Sequence, residues 1–306
     1  MDENEKKQIW KQAIKWPLYS VAMLPVFISG AYLLNQYEKV KIFNLIAFTL
    51  AAILILLWEN LTNDLFDSET GIDEFKFHSI VKLIKNKNII SLIAYTSLVI
   101  GLLIISVISL STSINILILV TGCCFLGYIY QGPPFRLGYQ GLGEPLCWLA
   151  FGPLAYSAVL IALNPSNIYF KSTPWKESLL LGSGPSLATT LVLFCSHFHQ
   201  IIEDKKHGKN SPLVRLGAKK GAQFVPWIIF TIYIFQLFTI ITGFIPVFCI
   251  LYWISFPQAI RLINLLNSSY NKPLAIKNCK FIAIRFQTLN GVGLITGLIF
   301  NYLINI

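Results

Sequence analysis

Long stretches without a charged side chain dominate the pattern of this chain. Seven of them, each of 17 to 48 residues, cover 16–37, 42–58, 88–135, 145–170, 178–202, 221–260 and 286–306. An α-helix needs about 20 apolar residues to cross the hydrocarbon of a bilayer, whereas a barrel strand needs about 10 that alternate. The two longest stretches each hold two helices, with turns near Ser109–Asn115 and Thr242–Gly243. The pattern therefore predicts nine transmembrane helices.

The composition agrees with an all-α, polytopic membrane protein. Of the 306 residues, 55% are hydrophobic and only 12% are charged, and the mean hydropathy is +0.64. Soluble proteins carry about 25% charged residues, so little polar surface is left to face water. The same numbers exclude disordered, collagen-like and disulfide-scaffold classes. We expect one membrane domain over residues 1–306, with residues 1–15 as a cytoplasmic N-terminal segment.

The basic residues predict the orientation of this domain. If the N-terminus is cytoplasmic, 20 of the 24 Lys and Arg residues fall on that side, which is a strong positive-inside bias. Nine spans then place the C-terminus on the opposite side. The net charge of +10 is mostly a topology signal that also attracts anionic membrane lipid. Nucleic-acid binding is not expected, because the basic residues are scattered over several loops.

The acidic residues cluster, and the first cluster closes the second predicted helix. If that helix continues through residues 59–73, Asn63, Asp64 and Asp67 share one face. Like charges repel there, and carboxylates at a helix C-terminus oppose the helix dipole. We therefore expect a cation to neutralise them. Oxygen ligands suit Mg²⁺, which is typically held by one or two carboxylates, water and a substrate phosphate.

A second cluster, residues 197–209, closes the sixth predicted helix. When the first motif is moved by 137 positions, Asn63 falls on Gln200 and Asp67 on Asp204. This match predicts a parallel four-helix repeat with a pseudo-two-fold axis, which would bring the two clusters face to face. The alternative is a pair of solvated acidic loops. His197 and His199 have no Cys or acid at tetrahedral zinc spacing, so zinc is not expected.

Basic residues accompany both clusters. Lys205, Lys209 and Arg215 follow the second cluster, and Arg136 lies between the fourth and fifth helices. Positive side chains that face two carboxylate–metal centres would form a diphosphate clamp. The alternative is that these basic residues only mark the cytoplasmic side of the membrane. That alternative fits Lys205 well and fits Arg136 and Arg215 less well.

The segment Asn63-Asp64-x-x-Asp67-x-x-x-Gly71-x-Asp73 resembles the first aspartate motif of the UbiA superfamily of intramembrane prenyltransferases. It is most similar to the MenA branch, which acts on 1,4-dihydroxy-2-naphthoate in menaquinone and phylloquinone biosynthesis. Residues 130–144 and 208–217 resemble two further segments of that branch, and the likeness covers roughly residues 10 to 300. It implies a UbiA-like helical bundle and a Mg²⁺-dependent prenyl transfer.

The second motif departs from the family pattern. MenA proteins usually carry Asn-Asn-x-x-Asp-x-x-x-Asp, and this chain has Ser196, His197, Gln200 and Asp204 at those positions. A neutral Gln replaces the first acid, and Glu203 is a candidate for the missing charge. Residues 196–200 resemble the cyanobacterial and plastid members that attach a phytyl chain. The likeness implies phytyl diphosphate as the donor and a dihydroxynaphthoate or 2-carboxynaphthoquinone as the acceptor.

The resemblance also implies residue roles. The expected metal site consists of Asn63, Asp64, Asp67, Asp73, Gln200, Glu203 and Asp204. The diphosphate is expected to contact Arg136, Lys205, Lys209 and Arg215, and catalysis is expected to use Asp64, Asp67, Arg136 and Tyr130. In this mechanism the allylic C–O bond breaks, the acceptor ring attacks the cation, and CO₂ leaves. Tyr130 lies over the cation or against the diphosphate, with a purely structural tyrosine as the alternative.

Other interpretations stay open at this point. A related prenyltransferase could act on homogentisate or chlorophyllide. A secondary transporter would place ionisable residues near the membrane midplane, whereas these acids lie at one edge. A non-catalytic membrane scaffold is a third possibility. The choice between the plasma or inner membrane and the thylakoid is also left open.

Overall fold

The computed structural model describes residues 16–71, 80–84, 86–166 and 172–305, and all regular structure in these ranges is helical. Nine helices in them are long and apolar enough to cross a membrane. They are Pro17–Tyr37 (α1), Ile42–Thr70 (α2), Lys87–Ser111 (α3), Ile114–Gln131 (α4), Gly143–Leu163 (α5), Trp175–Ser196 (α6), Ala218–Ile241 (α7), Val247–Ser269 (α8) and Cys279–Ile304 (α9). The predicted all-α membrane architecture is confirmed, and so are its two short turns.

Short helices connect the spans at the end of the bundle that carries the acidic motifs. They are Ile80–Ile84, Leu137–Gln140, Ile201–Lys206, Pro212–Leu216 and Pro273–Ile276. The C-terminal ends of α2, α4 and α6 lead into three of the connections, so their loops meet at one face. Gly71 ends α2 in the left-handed conformation (φ +79°), which glycine adopts without a steric penalty.

The helices divide into a central and a peripheral group. About 67% of the apolar stretch of α1 and 72% of that of α6 are buried, against 28% for α2 and α3. The outer faces of α3, α4 and α7 expose large apolar side chains such as Leu110, Ile118 and Trp227. A water-soluble protein rarely exposes so many, whereas lipid tails would solvate them.

Close helix contacts in the bundle depend on small residues and paired amides. A Cβ on Gly293 or Gly297 of α9 would lie within 2.4 Å of backbone oxygens of α8. Gln236 of α7 and Asn290 of α9 donate to each other's side-chain oxygens at 2.6 and 3.0 Å. Small residues and polar pairs of this kind hold membrane helices together, because apolar side chains gain little by leaving lipid.

Candidate active site

Residues 59–70 of the first acidic motif lie on the last turns of α2, which runs without a break to Thr70. Asp64 is fully buried, and its Oδ2 accepts a hydrogen bond from the backbone N–H of Ile80 at 3.4 Å. Asn63 and Asp67 instead line a narrow cleft at the end of the bundle. Asp73, the last acid of the predicted motif, lies outside the described residues.

A short 3₁₀-helix after α4 holds Tyr139 against the first motif. The Tyr139 hydroxyl lies 2.7 Å from Thr70 Oγ1 and donates to Asp67 Oδ1 at 3.3 Å. Burial and then the charge of Asp67 raise the pKa of Tyr139, so its hydroxyl stays protonated and remains a donor. The loop comes this close because Gly138 lacks a side chain; a Cβ there would lie 2.5 Å from a ring carbon of Tyr130.

The second acidic motif follows the sixth helix, as predicted, and unlike the first motif it does not continue its helix. α6 ends at Ser196, residues 197–200 form a turn, and a separate short helix carries Asp204. Gln200 precedes that helix, and its carbonyl accepts a hydrogen bond from the Asp204 N–H at 2.7 Å. The turn redirects the chain so that His197 and Asp204 face each other, which an unbroken helix would prevent.

Asp204 is fully buried between two basic side chains. His197 Nδ1 lies 3.4 Å from its Oδ2, and Lys209 Nζ lies 3.7 Å from its Oδ1. Burial alone would raise the pKa of Asp204, but His197 and Lys209 outweigh it and lower that pKa below its usual value. Both contacts are longer than ordinary hydrogen bonds, so the ionised carboxylate can still bind another positive partner.

Lys209 joins the two motifs. Its side chain is 8% exposed, and the ammonium group that faces Asp204 also lies 5.5 Å from the centre of the Tyr139 ring. The Tyr139 hydroxyl in turn binds Asp67. The narrow cleft at this end of the bundle is lined by Asn63, Asp67, Tyr130, Gln131, Gly138, Tyr139 and Lys209. The fold therefore brings Asp67 and Asp204 to the same end of the bundle.

Three residues without a predicted role also belong to this region: Tyr139, Glu144 and His197. Glu144 begins α5, and its Oε1 lies 3.7 Å from His197 Nε2. Tyr130 lines the same cleft as Asp67 and Lys209. Tyr139 and Glu144 lie within the segment 130–144, and His197 occupies a position of the second motif, so the family resemblance could have pointed to all three.

The structure separates the other predicted diphosphate contacts from one another. Arg136 lies 5.8 Å from the centre of the Tyr139 ring and forms a 3.5 Å ion pair with Glu69. Its backbone is left-handed (φ +43°), a conformation that costs a non-glycine residue roughly 1–2 kcal/mol. Arg215 is exposed and donates to backbone carbonyls of two loops, which it ties together. Lys205 is exposed to solvent.

The arrangement suits a magnesium ion that a substrate helps to hold. Within the described ranges, no three His, Cys, Asp or Glu side chains form a ready-made metal cage. Magnesium usually takes one or two carboxylates and completes its shell with water and phosphate oxygens. Asp67 and Asp204 are buried carboxylates of this kind. Glu203 and Gln200, the other expected ligands of the second motif, are only partly buried.

Comparisons with known proteins agree with this architecture. Residues 22–277 match the UbiA prenyltransferase family. The 2-carboxy-1,4-naphthoquinone phytyltransferase of Synechocystis sp. is 38% identical over 95% of this chain and 93% of its own. The chloroplastic 2-carboxy-1,4-naphthoquinone phytyltransferase of Arabidopsis thaliana is 38% identical over 96% of this chain and 77% of its own.

A solved structure shares the fold. The UbiA homolog from Archaeoglobus fulgidus bound to GPP and Mg²⁺ superposes with a TM-score of 0.53, over 94% of this chain and 99% of its own. The two sequences are only 13% identical, so this likeness supports the fold alone.

Proposed function

Because the chain belongs to the UbiA prenyltransferase family, we propose that it transfers a phytyl chain from phytyl diphosphate to a naphthalene acceptor. The acceptor is 1,4-dihydroxy-2-naphthoate or 2-carboxy-1,4-naphthoquinone, which loses CO₂, and the product belongs to phylloquinone or menaquinone biosynthesis. The names of the two relatives that are 38% identical support this acceptor over homogentisate or chlorophyllide. Family membership also sets aside the transporter and the scaffold.

The observation that carries the proposal is the shared cleft of the two motifs. Lys209 contacts Asp204 and the ring of Tyr139, whose hydroxyl binds Asp67. Buried carboxylates at one end of the bundle, linked in this way through Lys209 and Tyr139, can share a polyanion through metal ions. A diphosphate is the polyanion that a prenyl donor brings.

The first motif and Asp204 are the proposed magnesium ligands. Asn63, Asp64 and Asp67 would hold one ion and Asp204 would contribute to another, with Asp73, Gln200 and Glu203 as further candidates. When bound, magnesium neutralises the diphosphate and makes it a better leaving group. The Tyr139 hydroxyl keeps Asp67 in place. A carboxylate that is already fixed loses less conformational entropy when it binds a metal ion.

Lys209 and Arg136 are the proposed diphosphate contacts closest to the cleft. Their positive charges would stabilise the leaving oxygen as the allylic C–O bond breaks, and a site of low polarity strengthens that effect. Arg215 supports the reaction by holding the loops, and Lys205 stays at the surface. Tyr130, which lines the cleft, would face the allylic cation.

The membrane completes the proposed site. The apolar bundle excludes water from the allylic cation and solvates the long prenyl tail. The positive-inside bias supports an orientation with the cleft and the N-terminus on the cytoplasmic side and the C-terminus on the other, in a plasma, inner or thylakoid membrane.

An assay with purified protein tests the proposal. Protein in detergent would be incubated with phytyl or geranylgeranyl diphosphate, with each acceptor class and with Mg²⁺ or EDTA, and products would be identified by mass spectrometry. We expect a phytylated naphthoquinone product that requires Mg²⁺. Prenylation of homogentisate or chlorophyllide instead would refute the acceptor, and undiminished transfer in EDTA would refute the metal step.

A further inference from the structure

Glu144 is a buried carboxylate to which the proposed function assigns no role. Its side chain is 14% exposed, and neither oxygen has a hydrogen-bond partner among the described residues. A carboxylate in such a place has lost water without gaining a full set of hydrogen bonds, which is costly. In the part of the chain that the structure describes, Glu144 forms an ionic contact with His197 Nε2 at 3.7 Å, so a role for Glu144 would act through that histidine.

His197 stands between two carboxylates. Its Nε2 faces Glu144 and its Nδ1 faces Asp204 Oδ2 at 3.4 Å, and its side chain is 3% exposed. Since the two ring nitrogens point in different directions, the imidazole plane is set by both acids together. A change at Glu144 would therefore release the ring that holds one oxygen of Asp204.

The second motif needs this support more than the first. Gln200 is neutral, so Asp204 is the acid at the two matched positions of that motif. Lys209 and His197 hold its carboxylate through contacts of 3.7 and 3.4 Å, longer than ordinary hydrogen bonds. A lone carboxylate with such loose contacts depends on the orientation of its neighbours.

We propose that Glu144 is a positioning residue which acts through His197 to orient Asp204 for metal-bound diphosphate. This inference rests on the proposed function. It follows a general feature of metal sites, in which residues behind the ligands fix the orientation of the ligands. The sequence interpretation had offered Glu203 for the missing charge. Glu203 adjoins Asp204 on one short helix, and consecutive helical residues do not face the same point.

Manganese binding tests the proposal without relying on turnover. The purified protein would be titrated with Mn²⁺, as a paramagnetic substitute for Mg²⁺, in the presence of inorganic diphosphate, and free Mn²⁺ would be measured by electron paramagnetic resonance. We expect Glu144→Gln to weaken Mn²⁺ binding about tenfold, as is typical when such a supporting residue is changed. Glu38→Gln is the control, with the same change of charge at an exposed position after α1, at the opposite end of the bundle, and it should bind as the wild type does.

A double-mutant cycle separates positioning from a general structural effect. If Glu144 acts through Asp204, Glu144→Gln should cause no further loss in an Asp204→Asn background. Full additivity of the two losses would overturn the proposal, and so would normal Mn²⁺ binding in Glu144→Gln. If Glu144→Gln fails to fold, Glu144→Asp replaces it and should bind Mn²⁺ with intermediate affinity; wild-type affinity in that variant would count against the proposal.

The wild-type titration distinguishes this inference from the proposed function. Failure of the wild type to bind Mn²⁺ with diphosphate would remove the metal site itself, and the inference with it. Strong wild-type binding together with an unaffected Glu144→Gln variant would overturn the positioning role alone.

Discussion

The two acidic motifs reach one cleft by different routes. The first lies on an unbroken helix, and Tyr139 fixes Asp67 with a hydrogen bond of 3.3 Å. The second follows a helix that has already ended: Asp204 lies on a separate helix of six residues, and side chains contact its carboxylate at 3.4 and 3.7 Å. A site on a long helix is positioned by its backbone, whereas a site on a short helix after a turn depends more on its neighbours. The second motif should therefore be the more sensitive to changes around it.

Removal of the central acid of the first motif should have the largest effect. We expect Asp67→Asn to lower prenyl transfer at least about a hundredfold, because a preorganised charge in a site of low polarity is lost. Expression and membrane insertion should persist, since the helix is unchanged. Product formation in isolated membranes, normalised to protein, measures the effect. Transfer at the wild-type rate would remove Asp67 from the site.

Replacement of Lys209, the lysine that joins the two motifs, should have the second-largest effect. Lys209→Gln should lower kcat/KM by about ten- to a hundredfold, because Asp204 and the diphosphate would both lose a positive partner. Lys205→Gln is the control with the same change of charge at an exposed position, and it should stay within about twofold of the wild type. Equal losses in the two variants would mean that general surface charge, and not the cleft, is responsible.

Tyr139, which holds Asp67 in position, should matter less for activity than the proposed metal ligands themselves. Tyr139→Phe keeps the ring near Lys209 but removes the hydroxyl that binds Asp67, and we expect a loss of about tenfold in kcat/KM, or roughly 1.4 kcal/mol. Tyr128→Phe is the matched control, since its hydroxyl donates to the carbonyl of Pro133 at 2.7 Å and not to an acid. A larger effect from Tyr128→Phe would contradict the assignment.

The smallest effect concerns stability and pH. Because the pKa of Asp204 is lowered in the folded protein, its ionised form adds stability above the unfolded-state value of about 3.9, and this is lost as the pH falls below it. In detergent without metal, Asp204→Asn should melt a few degrees below the wild type at pH 7. The gap should close near pH 3. If the difference in melting temperature widened in acid, the ionised carboxylate of Asp204 would not be the stabilising form, and the interpretation would be wrong.

Much of the site could be predicted from residue type and spacing. The shared helical face of Asn63 and Asp67 follows from their four-residue spacing on an apolar helix. The matched positions of Asp67 and Asp204 predict that both lie at the same end of the bundle, as they do. The end of α6 at Ser196 could not be predicted, because residues 178–202 form one uncharged stretch with no break in its pattern. The contact of His197 with Glu144 joins residues 53 positions apart, beyond the reach of any local pattern.

By itself, the sequence determined that this protein is a nine-helix membrane bundle with two acidic motifs, since span length and charge placement depend on the cost of moving polar groups into lipid. Only the tertiary structure decided which acids converge, which lysine lies between them, and that Glu144 and His197 stand behind Asp204. Those contacts come from helices distant in sequence, and their distances depend on packing that no local pattern records.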